Sequence, residues 1–196
     1  GGNVSLATFN VLNYFTSLGK DDAGASAYTD RAGNPITTKS GTVRGAWDEA
    51  SLQRQQDKIV AAINTLDASV ISLEEIENSA TVDSSKDRDE ALAHLVDALN
   101  AAAGSEKWAY VPSPAAADLP ANEDVIRLAF IYQKDEVAPR GGSQILDNDW
   151  FSGVARQPLA QEFDTVDRDD DDNFVAVVNH FKSKRAIDSD PDGGDG

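Results

Sequence analysis

The apolar positions along this chain fall into short runs of two different periods. From Val4 to Val11 the run Val-Ser-Leu-Ala-Thr-Phe-Asn-Val has the β-branched and aromatic content of a strand. From Ser51 the period changes. Leu52, Ile59, Val60, Ile63 and Leu66 share a stripe at helical spacing, with Arg54, Gln55, Asp57 and Lys58 off it, which predicts a helix packed on a sheet. Ser69 to Asn78 reads as a short strand of mostly apolar residues ending in acids. Leu92, Leu95, Val96 and Leu99 predict a second helix, opened by Asp87-Arg88-Asp89-Glu90 as a capping box, with His94 off the stripe and exposed. Further strands are predicted at Trp108 to Val111, at Ile126 to Gln133, around Pro158 to Phe163 and at Phe174 to His180. The last is apolar from Phe174 to Val178 and rich in Val, the pattern of a strand covered on both faces. Alternation puts Phe174, Ala176, Val178 and His180 on one of those faces. Residues 16–48 are polar and Gly-rich, without clear period, and read as a long loop carrying two turn clusters, Asp21-Asp22-Ala23-Gly24 and Arg31-Ala32-Gly33-Asn34-Pro35. The Ala/Pro stretch 112–121 reads as a surface connection. Strand, helix, strand, helix and then mostly strands is an α+β order.

Composition narrows this picture. A chain of 196 residues, 40% of them hydrophobic, can bury one real core, and no second complete domain is expected. No run approaches the length of a membrane span, and residues 1–20 lack the basic start and apolar centre of a signal peptide. The chain starts Gly-Gly without Met and reads as a piece of a longer protein. It has no cysteine, which excludes disulfides, thiolate metal sites and cysteine nucleophiles from these residues. The formal net charge of −17 would repel a polyanion unless metal ions or local basic groups intervene. Such a charge fits plain solubility, and it also fits divalent-cation binding.

Three polar residues, Asn10, Glu75 and His180, each close an apolar strand-like run. Strand ends hold side chains on a rigid scaffold while leaving them at an open edge, where a preorganised site needs them. Asn10 shares a face with Leu6 and Thr8, and Glu75 with Ile71 and Leu73. A carboxylate suits Mg²⁺ or Ca²⁺, an amide can orient a water or a phosphate oxygen, and a histidine can move a proton near neutral pH. Beside His180 stand Asn179, Lys182, Ser183 and Lys184, a set of donors for an anion. Together these residue types describe metal-assisted phosphoester hydrolysis.

The wording of the motifs adds a resemblance. Ala7-Thr8-Phe9-Asn10-Val11-Leu12-Asn13-Tyr14-Phe15, Arg44-Gly45-Ala46 with Arg54-Gln55 and Lys58-Ile59-Val60, Leu73-Glu74-Glu75-Ile76-Glu77-Asn78, Ile126-Arg127-Leu128-Ala129-Phe130-Ile131-Tyr132, Arg156-Gln157-Pro158-Leu159 and Val178-Asn179-His180-Phe181-Lys182-Ser183-Lys184 follow one another in order. In wording and order they resemble the endonuclease/exonuclease/phosphatase superfamily of pancreatic-type deoxyribonucleases, and within it the bacterial secreted extracellular nucleases. The resemblance implies a two-layer β-sandwich flanked by helices, four layers in the order α/β/β/α. Residues 1–196 would form the N-terminal and central part of one such domain. It implies Glu75 as ligand of a divalent cation, Mg²⁺ first with Ca²⁺ or Mn²⁺ as alternatives. Asn10 would hydrogen-bond near the metal and scissile phosphate, His180 would act as general acid or base, and Arg156, Asn179 and Lys182 would hold substrate phosphate. Arg127 takes no definite role and reads equally well as a solvated strand residue. The substrate implied is nucleic acid, DNA before RNA, cut with little sequence preference by a secreted enzyme.

The chain also departs from the family. The later Asp-x-Asn strand and the C-terminal Asp-His pair are not found after His180, and in place of a glutamate near residues 126–133 there are only Glu123 and Asp124. Two other readings stand beside the nuclease. The stretch Asp188-Ser189-Asp190-Pro191-Asp192-Gly193 matches the opening of a calcium loop and, with Asp169 to Asp172, would suit a calcium-binding extracellular structural module. The same fold could also serve a phosphatase of a lipid or sugar phosphate.

Overall fold

The computed structural model describes residues 3–147, 157–166 and 172–179. In chain order the strands are β1 (Leu6–Tyr14), β2 (Ala27–Thr29), β3 (Pro35–Thr38), β4 (Val70–Glu77), β5 (Trp108–Tyr110), β6 (Ile126–Gln133), β7 (Val137–Ile145), β8 (Leu159–Thr165) and β9 (Asn173–Val178). The helices are α1 (Glu49–Leu66), the short α2 (Ser79–Val82) and α3 (Glu90–Ala103). One sheet has the order β1-β4-β6-β5, another the order β7-β8-β9, and β2 and β3 form a separate hairpin.

The first sheet separates two cores. Ile71 and Leu73 of β4, with Ala129 and Ile131 of β6, face α1 and α3 and pack on Ile59, Ile63, Leu92, Leu95 and Leu99. Their alternates Val70, Leu128 and Phe130 face the second sheet and meet Val137, Phe163, Ala176 and Val178. Over residues 70–73 of β4 and 128–131 of β6 the strands are mostly apolar because both faces are covered. Strand β4 pairs parallel with β1 and antiparallel with β6, so α1 lies on the connection between two parallel neighbours. The layers described are helix, sheet and sheet, an α+β architecture.

Helix α1 begins where Asp48 caps it, its carboxylate accepting from the Ser51 N–H at 3.0 Å, and ends at Asp67 in the left-handed region. Ile59, Val60 and Ile63 are buried as their spacing predicts, but Leu66 in the last turn is 46% exposed. Ile63→Ala is expected to destabilise the protein by about 2–5 kcal/mol, and Leu66→Ala by less than about 0.5 kcal/mol, in chemical denaturation. Helix α3 buries the four predicted apolar residues, leaves His94 exposed and closes on Gly104 at φ 74°.

Four expectations need correction. Residues 16–48 contain a hairpin, β2–β3, and a bridge from Thr37 to Ala46. Asp30 builds the hairpin's turn by accepting from the N–H groups of Ala32 and Asn34, both at 2.9 Å, so the second predicted turn cluster is a real turn. The capping box does not form, because the Asp89 carboxylate serves Arg127 and Ser113 instead. Among the described residues strand β9 is covered on one face only. Ala176 and Val178 are buried, while Val175 and Val177 on the other face are 60% and 52% exposed. Strand β7 escaped the pattern altogether because it is bent by a bulge between Arg140 and Gln144, with Gly141 at φ 73°. The side-chain amide of buried Gln161 donates to the carbonyls of Arg140 and Gly141 inside that bulge, at 3.3 and 3.1 Å.

Candidate active site

Strands β1 and β4 run parallel, and both lose regular pairing at the same level. The register shifts between Asn10 and Tyr14, and on β4's other side between Leu73 and Ile76. Asn10 lies opposite Glu74, and the residue displaced by the irregularity is Glu75, at φ 64°. A residue with a side chain in this region costs about 1–2 kcal/mol, so the surrounding fold must hold it there. The irregularity re-aims a side chain that plain alternation would have placed with Ile71 and Leu73.

The result is a direct contact. The Asn10 side-chain N–H donates to Glu75 Oε2 at 3.1 Å, and Asn10 Oδ1 accepts from the Leu12 N–H at 2.7 Å. With both ends engaged, the amide has one orientation. Asn10 and Glu75 are thus the expected site residues that the structure joins among the described residues, but neither closes its strand as expected: β1 continues to Tyr14 and β4 to Glu77. Asn179 is half-buried just beyond β9, and its Oδ1 is a buried acceptor without a hydrogen bond among the described residues. His180, Arg156 and Lys182, together with Lys184 and the aspartates of the calcium-loop motif, lie outside the described residues.

Behind this pair is a buried polar frame that the sequence did not announce. Glu77 is fully buried, and its Oε1 accepts from the backbone N–H groups of Thr16 and Ser17 at 2.9 and 3.3 Å, holding the chain where it leaves β1. Tyr14, also fully buried, donates its hydroxyl to Gln56 Oε1 at 2.7 Å. Burial first, and then the Glu77 charge, push the Tyr14 hydroxyl far above the usual 10.0. An unfolded tyrosine loses its proton near 10.0 while the folded one keeps it, so stability is complete below that pH and falls above it. Denaturation at about pH 9 and about pH 11 is expected to show this loss, with a smaller slope in Tyr14→Phe. The slope should persist in part, because burial raises Tyr110 and Tyr132 in the same direction.

Arg127 is not a solvated strand residue. It is 7% exposed and pairs with Asp89 at 2.6 Å, opposite Ile76 and next to the displaced Glu75. Arg88 continues the network with two bonds to Glu123, at 3.0 and 2.7 Å, and one to Ser113 at 2.7 Å. Asp124 pairs with Arg44 at 3.1 Å. The two acids preceding β6 are thereby committed to arginines. A cleft of about 430 Å³ is lined by Thr16, Asp87, Asp89, Glu90, His94, Asp97 and Tyr110, an acidic wall unsuited to phosphate, and neither Asn10 nor Glu75 lines it.

Among the described residues no group of three or more histidines, cysteines, aspartates or glutamates is arranged to hold a metal ion. The donors present still fit Mg²⁺, which keeps several waters and takes only one or two carboxylates from a protein. Glu75, half-buried and oriented by Asn10, would be such a carboxylate. Among the described residues no helix is long and apolar enough to cross a membrane.

No protein-family model matches the sequence, and no curated protein does. Solved structures do match. The endonuclease/exonuclease/phosphatase from Bacteroides vulgatus is 14% identical, with a TM-score of 0.40, over 90% of this chain and 51% of that one. An endonuclease/exonuclease/phosphatase family protein from Bacteroides thetaiotaomicron is 12% identical, with a TM-score of 0.39, over 72% of this chain and 51% of that one. ANGEL2, a 2′,3′-cyclic phosphatase solved with adenosine-2′,3′-vanadate, is 10% identical, with a TM-score of 0.37, over 63% of this chain and 31% of that one. The chain thus spans between 31% and 51% of the length of these structures. Proteins of the family that the motifs resemble are among the solved structures to which this chain is similar.

Proposed function

We propose that this chain carries the N-terminal catalytic residues of a secreted, metal-dependent phosphodiesterase of the endonuclease/exonuclease/phosphatase type, a nuclease that cuts DNA with little sequence preference. The observation that carries the reading is the Asn10–Glu75 hydrogen bond, formed between neighbouring strands where their regular pairing is interrupted, within the two motifs that resemble the family's. An amide held at both ends fixes one carboxylate oxygen, and a fixed carboxylate oxygen is what a hard divalent cation takes. When bound, the cation would stabilise negative charge on the phosphate and leaving oxygen and supply an acidified water.

The remaining roles belong to the chain's own side chains. His180 moves the proton as general acid or base, and Asn179, Arg156 and Lys182 hold phosphate oxygens for in-line attack by water. Local positive groups and the cation together offset the net charge of −17 at the place where a polyanion must approach. Contacts made to phosphate carry no base information, hence the low sequence preference.

The test is release of acid-soluble nucleotides from plasmid DNA, and separately from RNA, by the full-length parent protein with Mg²⁺, Mn²⁺, Ca²⁺ or chelator. Metal-dependent release, lost in Glu75→Ala and in His180→Ala, is the expected result. Release that survives both substitutions would remove the site assignment. A folded parent inactive on nucleic acid but releasing inorganic phosphate from a lipid or sugar phosphate would make it a phosphatase.

A further inference from the structure

Strand β1 turns sharply just beyond Asn10. Leu12 and Asn13 both sit at φ 55°, two consecutive left-handed residues with side chains, a conformation that local sterics oppose. The turn aims three successive carbonyls at helix α1. The Gln55 side-chain amide nitrogen lies 3.2 Å from the carbonyl oxygen of Val11, 2.9 Å from that of Leu12 and 3.4 Å from that of Asn13. One –NH₂ group has two donors, so the three acceptors share them. Across the same peptides, the Leu12 N–H donates to Asn10 Oδ1 at 2.7 Å, and Asn10 donates on to Glu75 at 3.1 Å. On another side the turn is closely packed: a Cβ on Gly45 would come within 2.9 Å of the Asn13 carbonyl oxygen. The next helix residue, Gln56, has a different partner, the Tyr14 hydroxyl.

We infer that Gln55 is a positioning residue: its amide holds the Val11–Asn13 turn in its left-handed form and thereby sets, through the Leu12 N–H, the direction in which Asn10 presents Glu75. The catalytic part of this inference rests on reading Asn10 and Glu75 as the hydrolytic site; the geometric part does not. The Gln55 amide bonds the turn that carries the Leu12 N–H, so its effect runs through Asn10. It lies on a rigid helix, where a supporting group for a site is most precise.

The test uses the full-length protein and two readouts. By NMR, the parent is expected to show couplings across hydrogen bonds from the Gln55 side-chain amide to carbonyls of the turn. Gln55→Ala and the near-isosteric Gln55→Glu, which removes the donor, are expected to shift the Asn10 side-chain amide resonances, whereas Gln55→Lys keeps a donor and should move them less. In cleavage assays Gln55→Ala is expected to lower kcat about tenfold to a hundredfold with little change in KM. The loss should vanish in an Asn10→Ala background, because nothing is then left to position. Unmoved Asn10 resonances in both donor-free variants, or an equal loss with and without Asn10, would overturn the inference. Should the donor-free variants fail to fold, the parent decides, since absent couplings to the turn would overturn it equally. A parent that shows the couplings and the variant shifts but cleaves nothing would count against the hydrolytic reading while upholding the positioning geometry.

Discussion

Glu75→Gln is expected to slow phosphodiester hydrolysis about a thousandfold while shifting the unfolding temperature by no more than about 2 °C. Cation stabilisation of transition-state charge is worth several kcal/mol, and each 1.4 kcal/mol or so is a factor of ten. Glutamine keeps the shape of the side chain and an oxygen that can accept from Asn10, so that contact can persist while the charge and one acceptor oxygen are lost. The backbone makes a second, independent prediction at this position. At φ 64° glycine is free of the Cβ conflict that alanine suffers. Glu75→Gly should therefore be more stable than Glu75→Ala by about 1 kcal/mol, the reverse of the order in an ordinary strand. Both should be inactive. Strain kept at a position where a plain glycine would be more comfortable is what a site traded against stability looks like. Equal activity of Glu75→Gln and parent would end the assignment of Glu75 as the metal-binding carboxylate. Melting curves with Ala above Gly would show that the left-handed backbone relaxes.

The largest stability effect is expected from Arg127→Ala, about 3–5 kcal/mol, a substantial part of a typical domain's total. In thermal melts this is a fall of about 10 °C. Asp89 and Arg127 are 12% and 5% exposed at their side chains and 2.6 Å apart, so removing the guanidinium leaves a carboxylate with little water to turn to. Asp89 keeps its bonds from Ser113, which answer only part of that charge. Burial, and next the nearby Arg88, lower the Arg127 pKa to about 10, so the guanidinium is charged at neutral pH. A double variant, Asp89→Asn with Arg127→Met, removes both charges and keeps volume, and it should recover much of the loss. If the double variant is as unstable as Arg127→Ala, packing rather than charge is what the pair contributes. Arg127 neighbours the displaced part of β4, so hydrolysis should also fall in Arg127→Ala, through Glu75 and without any contact to substrate.

The apolar periods located the α+β elements because burial writes itself into local spacing. Helix α1 and helix α3 and strands β4 and β6 stand where the pattern placed them, while β1 runs to Tyr14, past the expected end at Val11. The same rule misled at β9, where Val175 and Val177 match a strand buried on both faces yet point outward from the second sheet among the described residues. It failed at β7, where a bulge held by Gln161 breaks the alternation that would have revealed the strand. The hairpin of β2 and β3 was hidden because neither strand is longer than four residues, too short to show a period. Asp89 shows the limit of local motifs. Its spacing to the helix start suits a cap, but a buried arginine thirty-eight positions away in sequence competes for the carboxylate and wins.

For the candidate site, residue chemistry and position in short runs marked Asn10, Glu75 and His180 as candidates, because polar groups that close apolar runs are unusual and need a reason. The mutual geometry of Asn10 and Glu75 was not available from spacing. The step of side chains along a strand is regular, and irregularities inside β1 and β4 cancel it, turning Glu75 toward Asn10. The groups around this arrangement, Gln55, Gln56, Glu77 and Arg127, each make a hydrogen bond to a residue distant in sequence. Burial repeats at the fixed periods of helix and strand and so can be read along the chain. Hydrogen bonds between distant segments depend on where whole strands and helices come to rest, and only the folded chain decides that.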